Sequence, residues 1–197
     1  MEQKKNTTNL TGDSLLWSKL KTGDEKAFSV LFKKHYEHLV RYGNSFSNHP
    51  EKIQDCVQDV FTDIWIYKHS LNDNDNVKAY LLSSVRKRFS RLQAKDRIFN
   101  KIAPADATNF LFEFSIEHQL ISDEITAHKV MQLNKLINLL PSRQKEALYL
   151  RYYQGLSVGQ MADILEVNCQ SANNLLHRAL LNLRKNELLS IFLFLMR

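Results

Sequence analysis

The sequence has 197 residues, which is enough for one or two domains with cores of their own. Its 5 glycines and 3 prolines are few for this length, and together with Leu-rich periodic stretches they predict helices joined by short connections. The net charge of +6 favours a polyanionic partner such as DNA, RNA or an anionic membrane. Cys56 and Cys169 are far apart and form no CxxC pair, so neither a zinc module nor a disulfide framework is predicted.

The two ends of the chain differ in character. The N-terminal stretch MEQKKNTTNLTGDS is polar and lacks the apolar core of a signal peptide. Residues 188–196 are apolar but far too few to span a bilayer, which takes about 20 residues. We expect them to continue a terminal helix that packs on its own domain, with membrane contact or partner docking as alternatives. A cytoplasmic protein is therefore predicted.

The first half of the chain reads as a helical domain over residues 15–98, after a polar leader of residues 1–14. Gly23 and Asp24 separate the first two helices and cap the second. Pro50 marks the start of a third helix, and the polar residues 69–76 predict an exposed loop before the fourth. The predicted helices are 15–20, 27–42, 51–68 and 77–96, and in the second Phe28, Leu31, Phe32, His35, Leu39 and Tyr42 share one face.

The second half is predicted to be a smaller helical domain over residues 123–197, joined by a linker over 99–122. The linker has weak periodicity, and its apolar residues Phe110, Leu111, Phe112 and Phe114 indicate that it docks on another part of the molecule. Helices are predicted at 123–139, 142–153, 158–165 and 169–187. The fold class is therefore all-α, with two small domains.

The last two helices have the pattern of a helix-turn-helix. Ser157 and Gln160 form a capping box, and Asn168 caps the second helix after a short turn. Ala172, Leu176, Leu180 and Leu183 line the inner side of that helix. Its polar residues are suited to base edges and phosphates in a major groove, although an ordinary hairpin with a solvated face is the alternative. The candidate DNA-reading residues are Gln170, Ser171, Asn173, Asn174, His177 and Arg178.

Carboxylates recur at every fourth position of the third helix, at Glu51, Asp55, Asp59 and Asp63. Like charges at this spacing cost about 0.2–0.5 kcal/mol per pair, and Lys52 can relieve only part of that repulsion. An unrelieved row of this kind predicts a basic partner surface, with a solvated acidic face as the alternative. The opposite side is predicted to be core and comprises Ile53, Val57, Val60, Ile64 and Tyr67.

The fourth helix carries the opposite charge. Leu81, Val85, Phe89 and Leu92 are predicted to point inward. An aromatic side chain among cations is typical of single-strand binding, because the ring stacks a base while the cations follow the phosphates. A solvated basic face is the alternative. The outer stripe comprises Tyr80, Ser84, Lys87, Arg91 and Lys95, with Arg86, Arg88 and Arg97 nearby.

These motifs resemble, in order, those of bacterial sigma factors of the extracytoplasmic-function group, which have regions 2 and 4 of the sigma-70 family. GDEKAF at 23–28, and DCVQDVF at 55–61 followed by Trp65, are similar to the segment that grips the polymerase clamp. VKAYLLSSVRKR at 77–88 is similar to the helix that reads and melts the minus-ten element. The region 4 likeness rests on Leu140-Pro141, Tyr152, Gly155-Leu156-Ser157, Met161-Ala162 and the sequence LHRAL at 176–180.

The resemblance implies a helical, non-catalytic subunit that makes RNA polymerase promoter-specific. Asp55, Gln58, Asp59, Asp63 and Trp65 would then bind core polymerase. The loop with His69, Asn72 and Asn74 would pocket a flipped minus-ten base, and Tyr80, Ser84, Lys87, Arg88 and Arg91 would hold the melted strand. The set from Gln170 to Arg178 would read the minus-thirty-five element.

The chain departs from the family pattern at four positions. Lys87 stands where asparagine is common, Arg91 where aspartate is frequent, and Asn173 and Asn174 where a cation is frequent. These differences affect the promoter sequence rather than the class. The composition and the apolar C-terminus are also similar to factors controlled by a membrane-bound anti-sigma factor, which implies such a partner.

Two other classes of function are alternatives for this sequence. A helix-turn-helix regulator that acts without polymerase would explain the second half but not the charged helices of the first. The enzyme motifs GxGxxG, GxxxxGK[ST], GxSxG and HExxH are absent from the sequence. His35 and His38 lie three apart on a helix, but a metal site would need further ligands. We therefore expect no catalytic site, metal, cofactor or small-molecule substrate.

Overall fold

The computed structural model describes residues 12–47, 49–100, 110–111 and 124–185, with the backbone alone at 96–100, 124–127, 129–130 and 185. Its regular elements in these ranges are all helical, which confirms the all-α class. The helices are α1 Gly12–Lys21, α2 Glu25–Asn44, α3 Pro50–Ile66, α4 Val77–Asn100, α5 Glu124–Leu139, α6 Ser142–Leu148, α7 Val158–Leu165 and α8 Cys169–Lys185. A 3-10 turn, Lys68–Ser70, follows α3, and a π-helical turn, Tyr149–Tyr153, continues α6.

The contacts divide the chain into two compact units. One comprises Met1–Asn44 and His49–Gln93, and the other comprises Ser45–Asn48 and Ala94–Arg197. Within the described residues, no helix is long and apolar enough to cross a membrane. The predicted leader up to Thr11, the C-terminal segment 188–196, and Phe112 and Phe114 of the predicted linker lie outside the described residues.

Local capping sets the helix boundaries of the first unit. Oδ1 of Asp24 accepts hydrogen bonds from the N–H groups of Lys26 and Ala27, over 2.9 and 3.1 Å. Pro50 is the first residue of α3, where its missing N–H costs nothing. Oδ1 of Asn76 accepts from the N–H of Ala79 over 2.9 Å and so caps α4. The cap at Asp24 and the helix start at Pro50 were predicted from the sequence.

The core of the first unit follows the predicted apolar faces, with two corrections. Leu31 and Leu39 of α2 are buried, as are Ile53 and Val57 of α3 and Leu81, Leu82, Val85 and Phe89 of α4. Tyr67, predicted to be core, is 59% exposed because α3 ends at Ile66 and Tyr67 leaves its register. Leu92, predicted to point inward, is 40% exposed and lies next to the unit's last residue, Gln93.

In the second unit, Phe110 anchors the described part of the predicted linker. Its side chain is 1% exposed and packs against Phe46 and Tyr149, with ring centroids 5.1 and 5.6 Å away. The next residue, Leu111, donates its N–H to the carbonyl of Ser45 over 2.7 Å. The predicted docking is therefore confirmed for Phe110, and it takes place within this unit.

Candidate nucleic-acid interface

The helix-turn-helix has the predicted caps. Ser157 donates its N–H to Oε1 of Gln160 over 2.8 Å, and its Oγ accepts the N–H of Gln160 over 3.3 Å, so the capping box is complete. Glu166 adopts a left-handed conformation with φ 54°, which makes the turn. Oδ1 of Asn168 then accepts the N–H of Ser171 over 2.7 Å at the start of α8. The entry of the chain into α8 is thus fixed by short-range hydrogen bonds.

Helix α8 is divided into a buried side and a polar side. Ala172, Leu176, Ala179 and Leu183 are buried. The side chain of Gln170 donates to Oδ1 of Asn174 over 3.3 Å, which aligns two amides on the outer surface. The sequence-predicted reading set therefore lies together on one face, with Gln170, Asn173, Asn174, His177 and Arg178 exposed and Ser171 half-buried.

The acidic row of α3 is exposed. The prediction that its charges are unrelieved is wrong, because a cation of α4 pairs with two of them. Arg88 of α4 donates from Nη2 to Asp59 over 2.7 Å and from Nη1 to Asp63 over 2.6 Å. Burial disfavours the guanidinium charge, and the two carboxylates outweigh it, so the pKa of Arg88 is raised. The side chains of Asp59 and Asp63 remain 54% and 52% exposed. Sequence periodicity missed this pairing because it depends on how α4 lies against α3.

An aromatic surface adjoins the acidic row, and its residues Phe28, Phe61 and Trp65 belong to the motifs that resemble the clamp-gripping segment. Phe28 and Phe32 of α2, which were predicted to share one face of that helix with Leu31 and Leu39, are half-buried. They pack on Phe61 with centroid distances of 6.1 and 4.9 Å, and Phe28 contacts Trp65 at 5.1 Å. A cavity of about 300 Å³ opens here between Phe28, Phe32, Gln58, Phe61 and Thr62.

Trp65 is half-buried rather than fully enclosed. The ammonium group of Lys68 lies 4.3 Å from the centroid of its ring and donates to its carbonyl oxygen over 3.1 Å. A cation over the ring face is attracted by the ring quadrupole. Asp55 and Gln58, the other two residues predicted for this surface, are exposed on α3.

The basic stripe of α4 borders a second cavity in the first unit, of about 270 Å³. Tyr80 is half-buried and meets the ring of Trp17 edge-on at 5.1 Å. Ser84 donates its hydroxyl to the carbonyl of Tyr80 over 2.9 Å, and Lys87 and Arg91 are exposed. The structure thus brings all five predicted strand-binding residues together. The cavity is lined by Val60, Asp63, Ile64, Tyr67, Leu71, Tyr80, Ser84, Lys87, Arg88 and Arg91.

The loop before α4 is tied to α1. Nε1–H of Trp17 donates to the carbonyl of Asn72 over 3.0 Å. Lys21 forms an ion pair with Asp73 over 2.5 Å, and Oδ1 of Asn74 accepts the N–H of Asn76 over 2.9 Å. The predicted loop residues His69 and Asn72 are exposed, while Asn74 is half-buried.

His35 is held by a hydrogen bond to a carboxylate rather than by a metal-type cluster. Its Nε2–H donates to Oδ2 of Asp13 over 3.0 Å, and Lys34 pairs with Oδ1 of the same carboxylate over 2.6 Å. Burial lowers the pKa of His35 although Asp13 opposes the shift. In the described part of the chain, no three His, Cys, Asp or Glu side chains are grouped as metal ligands.

The chain matches one protein-family model and one curated protein. Residues 131–183 match the family model of sigma-70 region 4. The chain is 25% identical over 158 residues to RNA polymerase sigma factor YlaC of Bacillus subtilis (strain 168), covering 79% of this chain and 89% of that protein.

Two solved structures share the fold. One is CnrH in complex with the cytosolic domain of CnrY, with a TM-score of 0.58, 17% identity, and coverage of 88% of this chain and 95% of that chain. The other is the sigma factor RpoE in complex with the anti-sigma factor NepR from Bartonella quintana, with a TM-score of 0.58, 21% identity, and coverage of 84% and 98%.

Proposed function

This chain belongs to the sigma-70 family, in the extracytoplasmic-function group, and on that premise we propose that it binds core RNA polymerase, recognises promoter DNA and opens it for initiation. Sigma factors are non-enzymatic DNA-recognition subunits. The observation that carries the proposal is the arrangement of the first unit, where an acidic, aromatic surface on α2 and α3 adjoins a basic, aromatic cavity on α4.

We assign polymerase binding to the acidic, aromatic surface. Asp55, Gln58 and the exposed parts of Asp59 and Asp63 offer acceptors to a basic partner. The cavity beside Gln58 offers aromatic walls to an apolar side chain of the same partner. Interfaces commonly combine an apolar centre with a polar rim, and complementary charge steers the encounter. Trp65 supports this surface through its contact with Phe28.

The melted minus-ten strand is assigned to the basic cavity. Stacking on an aromatic side chain stabilises a bound base by roughly 1–3 kcal/mol, which favours the open state of the DNA. Tyr80 supplies a ring, Ser84 a hydroxyl oxygen, and Lys87 and Arg91 the cations for phosphates. Because α1 holds the loop of His69, Asn72 and Asn74 through Trp17, that loop is positioned to border the bound strand. Arg88 contributes by joining α3 to α4.

Upstream duplex is assigned to α8. Its exposed amides, imidazole and guanidinium project from the start of a capped recognition helix, which is the part that enters the major groove in this motif. Gln170 and Asn174 share a hydrogen bond, so they present their remaining donors and acceptors as a unit. Arg178 is one turn further along α8, where a cation reaches phosphate.

We also propose regulation by an anti-sigma factor, which the same comparisons support. The RpoE structure contains an anti-sigma factor, and the CnrH structure contains the cytosolic domain of CnrY. We propose that this chain binds a partner of the same kind.

The decisive experiment is abortive transcription with purified core polymerase on a promoter identified by sequencing the transcripts that overexpression induces. Product that requires this chain is expected. Folded chain that yields no such product would refute the proposal.

Pull-down of core polymerase distinguishes a sigma factor from a regulator that acts on duplex DNA alone. The charge-reversed variant Asp55→Lys should be retained by core polymerase more weakly than Glu51→Lys, a control at the end of the same row.

A further inference from the structure

Tyr67 presents an exposed ring on a fixed backbone. Its N–H donates to the carbonyl of Asp63 over 2.9 Å, and its own carbonyl accepts from the N–H and hydroxyl of Ser70 over 2.9 and 2.8 Å. The residue as a whole is 59% exposed. A ring this exposed contributes little to the core, so its position follows from the backbone of the turn rather than from burial.

The ring lies on the cavity that also contains Tyr80. Tyr67 enters it from the end of α3 and Tyr80 from the first turn of α4. Apolar side chains of Val60, Ile64 and Leu71 contribute to the lining. The same cavity is bordered by Lys87 and Arg91, both exposed. Two rings from different elements, apolar lining and two cations together suit a nucleobase with its phosphate.

We propose that Tyr67 is a stacking residue for an unpaired base of the opened strand, in addition to Tyr80. The inference rests on the proposed opening of promoter DNA. It adds Tyr67 to the strand-binding residues, although the periodicity of α3 predicted that this residue would be in the core. The base lies against the ring of Tyr67 while Lys87 and Arg91 contact the flanking phosphates. Since every base has a π face, this contact stabilises the open strand with little dependence on base identity.

The test uses holoenzyme assembled from the full chain and core polymerase. The probe is a single-stranded oligonucleotide of roughly 16 nucleotides, the upper end of single-strand site sizes. It contains 5-iodouracil, which crosslinks on irradiation to a ring stacked upon it. Crosslinking to the peptide that contains Tyr67 is expected. Tyr67→Leu should abolish that crosslink and weaken binding roughly 5- to 150-fold, the equivalent of one stacked base.

Two further variants separate stacking from a structural role. Tyr67→Phe keeps the ring and should bind within about twofold of the natural protein, because stacking needs the π face alone. Ile66 is also 59% exposed but does not line the cavity, so Ile66→Ala should retain both crosslink and affinity. If Tyr67→Leu behaves like Ile66→Ala, the assignment of Tyr67 is overturned while the proposed function stands. If unaltered holoenzyme binds the probe no better than core polymerase, strand capture and the role of Tyr67 fail together.

Discussion

Arg88 of α4 donates a hydrogen bond from Nη1 to Oδ2 of Asp63 on α3 over 2.6 Å. Its second terminal nitrogen makes a similar bond to Asp59, so one planar guanidinium connects two carboxylates one helical turn apart. Because these carboxylates are half exposed, the pairs stabilise the fold only weakly, by about 0–1 kcal/mol each. Their main effect is geometric, since they fix the acidic surface beside the basic cavity.

Arg88 and Arg91 should differ in their contribution to single-strand binding. Each phosphate contact contributes about 0.7 to the slope of log affinity against log salt for a single strand. Arg91 is exposed, so Arg91→Met should lower the slope of holoenzyme binding by about 0.7. Arg88 is already paired within the protein, so Arg88→Met should leave the slope unchanged. Fluorescence anisotropy over a salt titration measures both, and an equal loss of slope would place Arg88 on a phosphate.

Gly43 is required by the close approach of α2 to α3. A Cβ atom at this position would lie 2.4 Å from Cγ2 of Ile53, a fully buried side chain. Gly43→Ala should therefore lower the free energy of unfolding by about 1–3 kcal/mol, the usual cost of overpacking a core. Urea unfolding of the full chain measures this change.

The control is a helical glycine without such a neighbour. Gly159 of α7 would bring its Cβ no closer than 3.9 Å to Oγ of Ser157, so Gly159→Ala should stabilise by about 0.5–1 kcal/mol. The clash is specific to Ile53, and the double variant Gly43→Ala with Ile53→Ala should be less destabilised than the sum of the two single variants. Additive effects would show that the contact with Ile53 is not the cause.

The features that were predictable from the sequence are those fixed within a few residues of the chain. The caps at Asp24, Ser157 and Asn168 depend on side chains that bond to a backbone N–H two or three residues away. The buried and exposed sides of α8 depend on helical periodicity alone. Both kinds of signal are local, and the structure reproduces them.

What was missed depends on packing between helices. Periodicity places Tyr67 on the core side of a continuing helix, but α3 ends one residue earlier and the ring faces solvent. Phe28 has the spacing of a core residue, yet α3 covers only part of its ring. The pairing of Arg88 with the acidic row requires α4 to lie against α3, which the order of charges along one helix cannot reveal.

Protonation of His35 should destabilise the first unit as the pH falls. Burial lowers the pKa of His35 from its ordinary 6.5, so below that pH the unfolded chain takes up a proton that the folded protein resists. Stability is therefore full above about pH 6.5 and declines on acidification. His35→Gln should remove this decline, and urea midpoints at about pH 7.5, 6.5 and 5.5 give the comparison.

The neighbouring charges do not reverse this sign. Burial opposes ionisation of Asp13, but hydrogen bonds and charges from Lys34 and His35 outweigh it and hold its pKa below 3.8, so its own loss of stability comes at lower pH. Burial also lowers the pKa of Lys78, whose charge adds to that of Lys34. His38 is an exposed histidine on the same helix, so His38→Gln is the control. This variant should still lose stability as the pH falls. A flat profile in the unaltered protein would contradict the argument.

Arg178 should contact a phosphate of upstream duplex. It is exposed on the polar side of α8, one turn beyond Asn174, and each phosphate neutralised on duplex DNA contributes about 0.9 to the salt slope. Arg178→Ala should therefore weaken binding of the full chain to duplex DNA and lower the slope by about 0.9. Lys135→Ala removes an exposed cation from α5, outside the helix-turn-helix, and should leave the slope in place. An unchanged slope for Arg178→Ala would show that this residue contacts no phosphate. Equal losses of slope in Arg178→Ala and Lys135→Ala would show that Arg178 acts only through the net charge of the protein.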